Sequence, residues 1–175
     1  MGKPSKNELD SAFEQAKRLI WQEQDQDFLA KSLFALHDQS QELTKVLSAC
    51  EAYIQSGQST TAHRGIISAM NAYRNMNSSG NADYAINVTD NERNQALETA
   101  GMLRETGNDS HYIAKTVLNL NYMVKQLESV YRATERYLHS GMSITEHQHL
   151  ENAIKKYRTL ENRTSGSDVS AFNIY

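Results

Sequence analysis

One of the six histidines in the chain, His147, is separated from a carboxylate by a spacing that a helix can use for metal binding. His147 and Glu151 are four residues apart, so on a helix both side chains project from one face. A metal site needs further ligands, and the sequence offers no second pair of this kind on another inward-facing helix. The sequence therefore predicts no metal site and no cofactor.

Catalytic signatures are also missing from the sequence. It contains no Gly-x-Ser-x-Gly, no Walker-type phosphate loop and no Gly-x-Gly-x-x-Gly. The single cysteine, Cys50, falls on an apolar helical stripe, where a thiol is expected to be buried and inert. We therefore predict that the protein is not an enzyme and has no catalytic residues.

A histidine and a tyrosine recur together at two places in the chain. His63 shares a helical stripe with Tyr73, and His147 shares the matching stripe with Tyr157. Such a histidine either bonds the adjacent turn or a tyrosine hydroxyl, or it binds a ligand or senses pH. We predict a structural role, and a sensor that holds a small ligand near these four residues is one alternative function.

The last predicted helix is rich in basic side chains, namely Lys155, Lys156, Arg158 and Arg163. A nucleic-acid contact requires a basic surface of this kind. Three glutamates in the same helix lower its charge, and the whole chain has a net charge of −3. A nucleic-acid-associated regulator that uses Lys155, Lys156 and Arg158 is therefore a second, weakly supported alternative.

The C-terminal segment ends in three large apolar side chains, Phe172, Ile174 and Tyr175. The surrounding polar residues give the segment no means of burying them locally. These side chains are thus candidates for contact with this protein, with a second copy or with another protein. The simpler interpretation is a frayed tail.

The helices that must position these residues belong to a segment that occurs twice in the sequence. Residues 7–74 align without a gap on residues 91–158, a shift of 84 positions, with 23 identities in 68 aligned positions. Unrelated sequences share far fewer residues, so this pattern predicts an internal repeat. Two residues that are 84 positions apart are called counterparts below.

Each copy predicts three helices. Apolar residues recur at three- and four-residue steps over about 8–21, 27–56 and 60–75 in copy 1. The matching patterns in copy 2 cover about 91–105, 113–138 and 144–162, with Gly101 weakening the first of these helices. Gly57 and Gly141 are placed to end the long helices in a left-handed conformation. Ser59 and Ser143 are placed to cap the next helices, and Ser143 with Glu146 has the spacing of a capping box.

These patterns predict an all-α fold in which an internally duplicated three-helix unit gives six helices. The unit's long helices are expected to pack on each other in an elongated pseudo-twofold bundle. The predicted segments are a disordered lead at 1–6, repeats at 7–74 and 91–158, a linker at 75–90 and a flexible tail at 163–175. The last helix is expected to continue to about 162, and both repeats should form one compact domain.

The cellular setting is predicted from what the sequence contains. It has no apolar stretch of membrane-spanning length, no signal peptide and only one cysteine, so we expect a cytoplasmic protein, bacterial or phage-like in style, that does not bind membranes. Copy 1 has a net charge of −3 and copy 2 a net charge of +1. Ordinary surface variation is the simpler explanation of this difference, and alignment of the two halves or a partner held on one side are the alternatives. The predicted function is a protein–protein interaction module, acting as an adaptor, inhibitor or regulator. A homo-oligomer is compatible with this prediction.

Overall fold

The computed structural model describes residues 2–78 and 88–165. These residues form six α-helices and no strand, which confirms the predicted all-α class. The helices are α1 (Lys6–Trp21), α2 (Leu29–Gln55), α3 (Thr60–Ser78), α4 (Asp90–Glu105), α5 (Ile113–His139) and α6 (Ile144–Ser165). Within the described part of the chain, no helix has both the length and the apolar character needed to cross a bilayer.

Three predicted boundaries differ from the structure. Helix α3 extends to Ser78, into the predicted linker at 75–90, of which residues 79–87 lie outside the described residues. Helix α6 extends to Ser165, into the predicted tail at 163–175. Helix α1 begins at Lys6, inside the predicted disordered lead, and α4 continues through Gly101 without a break.

The early start of α1 is explained by a capping box. The Ser5 hydroxyl accepts a hydrogen bond from the Glu8 amide, and the Glu8 carboxylate accepts one of 2.7 Å from the Ser5 amide. Thr89 and Glu92 make the same reciprocal pair at the start of α4. Each box satisfies two amides that the first helical turn leaves without an intrahelical partner.

The capping box predicted at Ser143 is only half formed. The Glu146 amide donates to the Ser143 hydroxyl at 3.3 Å, as expected for a helix cap. The Ser143 amide, however, donates to the Ser140 hydroxyl, and the Glu146 carboxylate lies near Arg136 and His149 instead.

The long helices begin with a backbone conformation that the sequence pattern did not predict. Phe28 and Tyr112, which immediately precede α2 and α5, have φ angles of 56° and 60°. A left-handed conformation costs a residue other than glycine about 1–2 kcal/mol. It is held in place because the Asp25 carboxylate accepts hydrogen bonds of 2.9 Å from the first two amides beyond Leu29, and Asp109 does the same at α5.

The ends of the long helices follow the prediction. Gly57 and Gly141 both have a φ of 65°, the left-handed value that glycine adopts without a Cβ clash. The Ser59 hydroxyl then caps α3 by accepting a hydrogen bond from the Ala62 amide. The chain thus reverses direction within a few residues, so that α3 runs antiparallel to α2.

Contacts between helices divide the described chain into two compact units. Unit 1 contains residues 41–78 and 124–165, which are the last parts of α2 and α5 together with α3 and α6. Unit 2 contains residues 3–40 and 88–123, which are α1, α4 and the first parts of α2 and α5. Each unit therefore combines helices from both predicted copies.

In unit 1, α2 and α5 contact each other and run parallel. The Cys50 thiol lies 3.2 Å from the Thr134 hydroxyl, and the Tyr53 and Tyr137 hydroxyls are 2.9 Å apart. Both pairs join counterparts, and the partner advances by three residues in each helix, which fixes the parallel direction. The surrounding core consists of fully buried side chains, including Leu43, Val46, Leu47, Ile66, Met70, Leu127 and Leu150.

Unit 2 places α1 against both long helices. The Phe13 ring packs on Phe34 with centroids 5.4 Å apart, and the Glu8 carboxylate binds the Lys115 ammonium at 2.7 Å. Helix α4 makes the corresponding ion pair with α2, between Glu92 and Lys31. Alanines with no exposed surface, Ala12, Ala16, Ala96 and Ala100, line the buried faces of α1 and α4 and allow a close approach of the helices.

Candidate binding groove

The tyrosine pair of unit 1 is flanked by the two recurring histidines. The His63 ring centroid lies 6.0 Å from that of Tyr53, and the His147 centroid lies 5.5 Å from that of Tyr137. Burial and the hydrogen bond with Tyr53 raise the pKa of the Tyr137 hydroxyl well above its ordinary value. The Nδ1 atom of each imidazole is buried without a hydrogen-bond partner in the described part of the chain.

The other two tyrosines named from the sequence lie elsewhere. Tyr73 is ten residues beyond His63 on α3, and its ring packs on Tyr131 with centroids 4.9 Å apart. Tyr157 is buried, which raises the pKa of its hydroxyl, and the Arg158 guanidinium lies 6.0 Å from its ring. Each histidine therefore packs on a tyrosine of a long helix, Tyr53 or Tyr137.

A groove of about 300 Å³ opens beside His63, between α3 and α5. We call it the α3–α5 groove; it is lined by His63, Ile67, Met70, Asn71, Arg74, Glu135, Leu138, His139 and Met142. Met70 is buried and forms part of its floor, whereas the walls leave 41% of Ile67 and 48% of Met142 exposed. Ile144, two residues beyond Met142, is 80% exposed. This end of unit 1 therefore presents large apolar side chains to the surface.

A second groove, of about 200 Å³, lies between α2 and α6. The residues that line this α2–α6 groove are Glu51, Ile54, Gln55, Glu151, Ile154 and Lys155, and each is the counterpart of a residue in the α3–α5 groove. The chemistry of the two grooves differs, because Glu151 stands where the first groove has Ile67. Its carboxylate lies 3.4 Å from the His147 imidazole and 3.9 Å from the Lys155 ammonium.

The three exposed apolar residues all have polar counterparts. Glu151, Gln58 and Thr60 are the counterparts of Ile67, Met142 and Ile144, respectively. A single exposed apolar side chain needs no explanation, but apolar side chains gathered beside a groove mark contact surfaces. Only one of the two grooves has this character.

The arginines of the two grooves also differ. Arg158 uses all three guanidinium nitrogens: Nε and Nη2 donate to the two Glu51 oxygens at 2.7 and 2.6 Å, and Nη1 donates to Glu161 at 2.6 Å. These bonds raise the pKa of Arg158.

Arg74, the counterpart of Arg158, is less completely bonded. Its Nε donates to the Tyr131 hydroxyl at 2.9 Å, and its Nη2 donates to the Glu135 carboxylate at 2.7 Å, which raises the pKa of Arg74. No described side chain accepts a hydrogen bond from its Nη1, the nitrogen that in Arg158 donates to Glu161. Within the described part of the chain, Arg74 therefore has one carboxylate partner, whereas Arg158 has two.

The basic side chains of α6 differ in exposure: Lys155, Lys156 and Arg163 are exposed, whereas Arg158 is partly buried. Arg158 is held by two carboxylates, and Lys155 lies near Glu151, while Lys156 is exposed. The apolar residues of the C-terminal segment, Phe172, Ile174 and Tyr175, lie outside the described residues.

Unit 2 contains an apolar surface that the sequence analysis missed. Trp21, at the end of α1, is 87% exposed and adjoins a groove of about 210 Å³ lined by Leu19, Ile20, Glu23, Asp25, Phe28 and Lys31. The counterpart of Ile20 is Arg104, which approaches the Asp109 carboxylate to 4.0 Å. The signal was available as a mismatch between the copies, since Trp21 and Ile20 both have charged counterparts.

Within residues 2–78 and 88–165, no group of three or more His, Cys, Asp or Glu side chains is arranged to hold a metal ion. Comparisons of the chain with protein-family models, curated proteins and solved structures found no match.

Proposed function

We propose that this protein is a non-enzymatic helical module that binds another protein through the α3–α5 groove. The observation that carries the proposal is the half-exposed apolar wall formed by Ile67 and Met142 over the buried Met70. Methionine side chains adapt their shape to different partners, and contact surfaces are often rich in them. An adaptor, inhibitor or regulator would use such a groove as its partner surface.

The proposal includes an internal duplication with a pseudo-twofold relation inside each unit. Reciprocal contacts support it: Glu8 pairs with Lys115 while Glu92 pairs with Lys31, and Arg74 pairs with Glu135 while Arg158 pairs with Glu51. A contact and its exchanged form are the mark of a twofold relation. The eight described residues with positive φ support it too, because they form four pairs of counterparts: Glu23 and Gly107, Phe28 and Tyr112, Gly57 and Gly141, and Gln58 and Met142.

Duplication gives the groove its functional meaning. Two copies begin with two equivalent grooves, so a difference between them reflects later change in one copy. The α2–α6 groove has ion pairs centred on Glu151, whereas the α3–α5 groove keeps an apolar wall. We infer that the module engages its partner on one side only.

A protein partner suits the groove better than a free small molecule does. Sites for small ligands usually enclose about 300–1,000 Å³ and cover most of the ligand. The α3–α5 groove is at the lower limit of this range, and its walls are half-exposed. A groove of this size and form suits one or two large side chains that project from a partner surface. The nucleic-acid alternative loses support because Arg158 is already bound by Glu51 and Glu161.

Substitution of Ile67 tests the proposal. The partner would be captured from the source organism with tagged wild-type protein, purified, and titrated calorimetrically against wild type, Ile67→Glu and Ser68→Glu. Ser68 is exposed on the same helix, so it receives the same charge outside the groove. We expect Ile67→Glu to weaken binding by at least about tenfold, because it places a charge in an apolar contact. Ser68→Glu should bind like wild type.

Equal binding by the two variants would exclude the groove as the contact surface. Sedimentation of the wild-type protein alone gives a second check. Self-association that Ile67→Glu abolishes, without capture of any other protein, would replace the foreign partner by a second copy of this chain.

A further inference from the structure

We infer that the partner segment is an amphipathic helix that places a large apolar side chain in the α3–α5 groove and an acidic side chain on Arg74. This inference rests on the proposed function and specifies the chemistry of the partner. Helices commonly bind in grooves by inserting apolar side chains from one face while their polar face remains at the rim.

The first argument comes from the bonding of Arg74. A guanidinium offers five N–H donors in a planar fork, and carboxylates fit this fork well. In Arg158 the fork is filled by Glu51 and Glu161. In Arg74 the positions of Nε and Nη2 are occupied, and no described side chain accepts a hydrogen bond from Nη1. The counterpart of Glu161 is Asn77, so copy 1 lacks the second carboxylate.

The second argument comes from the balance of charge in the groove. Glu135 is the only carboxylate among the lining residues, and Arg74 holds it at 2.7 Å. The other polar lining side chains, Asn71, His63 and His139, can all donate hydrogen bonds. A partner carboxylate, which only accepts, is therefore matched by donors, whereas a partner lysine would meet no unengaged carboxylate.

The positions of Arg74 and Ile67 on α3 connect these two arguments. Arg74 and Ile67 are both on α3 and both line the groove, seven residues apart, which is about two helical turns or 10 Å. A partner helix that lies along α3 presents side chains at the same interval. One apolar residue and one acidic residue about two turns apart would therefore reach the groove and Arg74 together.

Three synthetic peptides serve as probes. Each is a fluorescein-labelled helix-forming 18-mer with the same leucine and phenylalanine face, and its polar positions are all Glu, all Gln or all Lys. Fluorescence anisotropy measures their affinities for wild type, Ile67→Glu, Arg74→Gln and Arg158→Gln. Arg74→Gln loses one internal ion pair and Arg158→Gln loses two, so Arg158→Gln controls for the loss of a paired arginine outside the α3–α5 groove. Circular dichroism confirms that each variant is folded.

We expect the Glu peptide to bind wild type tightest and the Lys peptide weakest. Arg74→Gln should weaken the Glu peptide about fivefold, the upper range for an exposed ion pair, and leave the Gln peptide within about twofold. Arg158→Gln should change neither affinity, and Ile67→Glu should weaken all three peptides.

Several results would overturn the inference. These are no detectable binding of the Glu peptide at millimolar protein, equal affinities for the three peptides, or equal effects of Arg74→Gln and Arg158→Gln. Octanoate that competes with the Glu peptide through Arg74 while the peptides show no dependence on Ile67 would assign the site to small carboxylates instead. If Ile67→Glu abolishes capture of the native partner but peptide charge has no effect, the proposed function stands and only the acidic partner chemistry is wrong.

Discussion

The hydroxyl pair of Tyr53 and Tyr137 predicts an unequal and non-additive response to removal of each oxygen. Both side chains are at most 2% exposed, and their hydroxyls are 2.9 Å apart. The Tyr53 hydroxyl also donates to the Met142 sulfur at 3.6 Å, so the hydrogen between the tyrosines is supplied by Tyr137. Tyr53→Phe therefore leaves the Tyr137 hydroxyl buried without an acceptor. Tyr137→Phe leaves Tyr53 with its bond to sulfur.

The magnitudes follow from the cost of a buried unpaired group. Tyr53→Phe should lower the free energy of unfolding by about 1–3 kcal/mol, and Tyr137→Phe by about 0.5–1.5 kcal/mol. The double variant removes both polar groups, which is nearly neutral when the shape is preserved. We therefore expect the double variant to be no less stable than Tyr53→Phe alone, with a coupling energy at least equal to the effect of Tyr137→Phe, about 0.5–1.5 kcal/mol.

Urea unfolding followed by circular dichroism provides the three values, with Tyr122→Phe as the control. Tyr122 is 44% exposed, so loss of its hydroxyl should change stability by less than about 0.5 kcal/mol. Effects of Tyr53→Phe and Tyr137→Phe that add within about 0.5 kcal/mol would refute the reasoning, because the two hydroxyls would then not depend on each other.

Three further predictions concern Asp25, Cys50 and Glu8. Asp25→Ala should lower the free energy of unfolding by about 1–2 kcal/mol, because it removes the cap of α2. Urea unfolding measures this loss. An Asp25→Asn variant as unstable as Asp25→Ala would contradict the prediction. Burial raises the pKa of Cys50 from 9.0 to about 11, so the folded thiol keeps its proton and its contribution to stability, roughly 3 kcal/mol, is lost as pH rises from about 9 to 11; stability should therefore fall more steeply over this range in wild type than in Cys50→Ala. The hydrogen bond from Lys115 lowers the pKa of Glu8. The stabilisation that Glu8 provides is therefore present above the ordinary glutamate pKa and is lost as pH falls through the pKa of the folded state. The difference in stability between wild type and Glu8→Gln should shrink in acid, and a difference that stays constant with pH in melting experiments would oppose this assignment.

Local sequence patterns predicted the positions of the helices better than the conformation of the residues at which the helices begin. The seam that begins at Leu29 and the glycine at Gly57 predicted α2 to within two residues, because apolar spacing and left-handed glycines are features of consecutive residues. The left-handed conformation of Phe28 was not predicted, because the Asp25 side chain that supports it reaches amides five and six residues ahead, outside the usual capping pattern. The capping box of Ser5 and Glu8 was not predicted, because the polar residues that precede α1 show no apolar periodicity.

The character of the α3–α5 groove could be predicted only in part from the sequence. The exchange of Ile67 for Glu151 between the copies is visible by alignment alone. The state of Arg74 is not, because its partners Tyr131 and Glu135 lie 57 and 61 residues away and become neighbours only when α3 packs on α5. The recurrence of His63 and His147 is visible in the sequence, but their contacts with Tyr53 and Tyr137 depend on packing that helical stripes alone do not specify.

The interleaving of the two halves of the chain within each unit has a consequence for synthesis on the ribosome. Lys115 must emerge before Glu8 has its partner, and Arg158 before Glu51 has its own, an interval of 107 residues in both cases. The nascent chain thus carries unfinished apolar faces until α5 and α6 have been synthesised, and such faces are exposed to aggregation. Unit 1 therefore becomes compact only after α6 has left the ribosome.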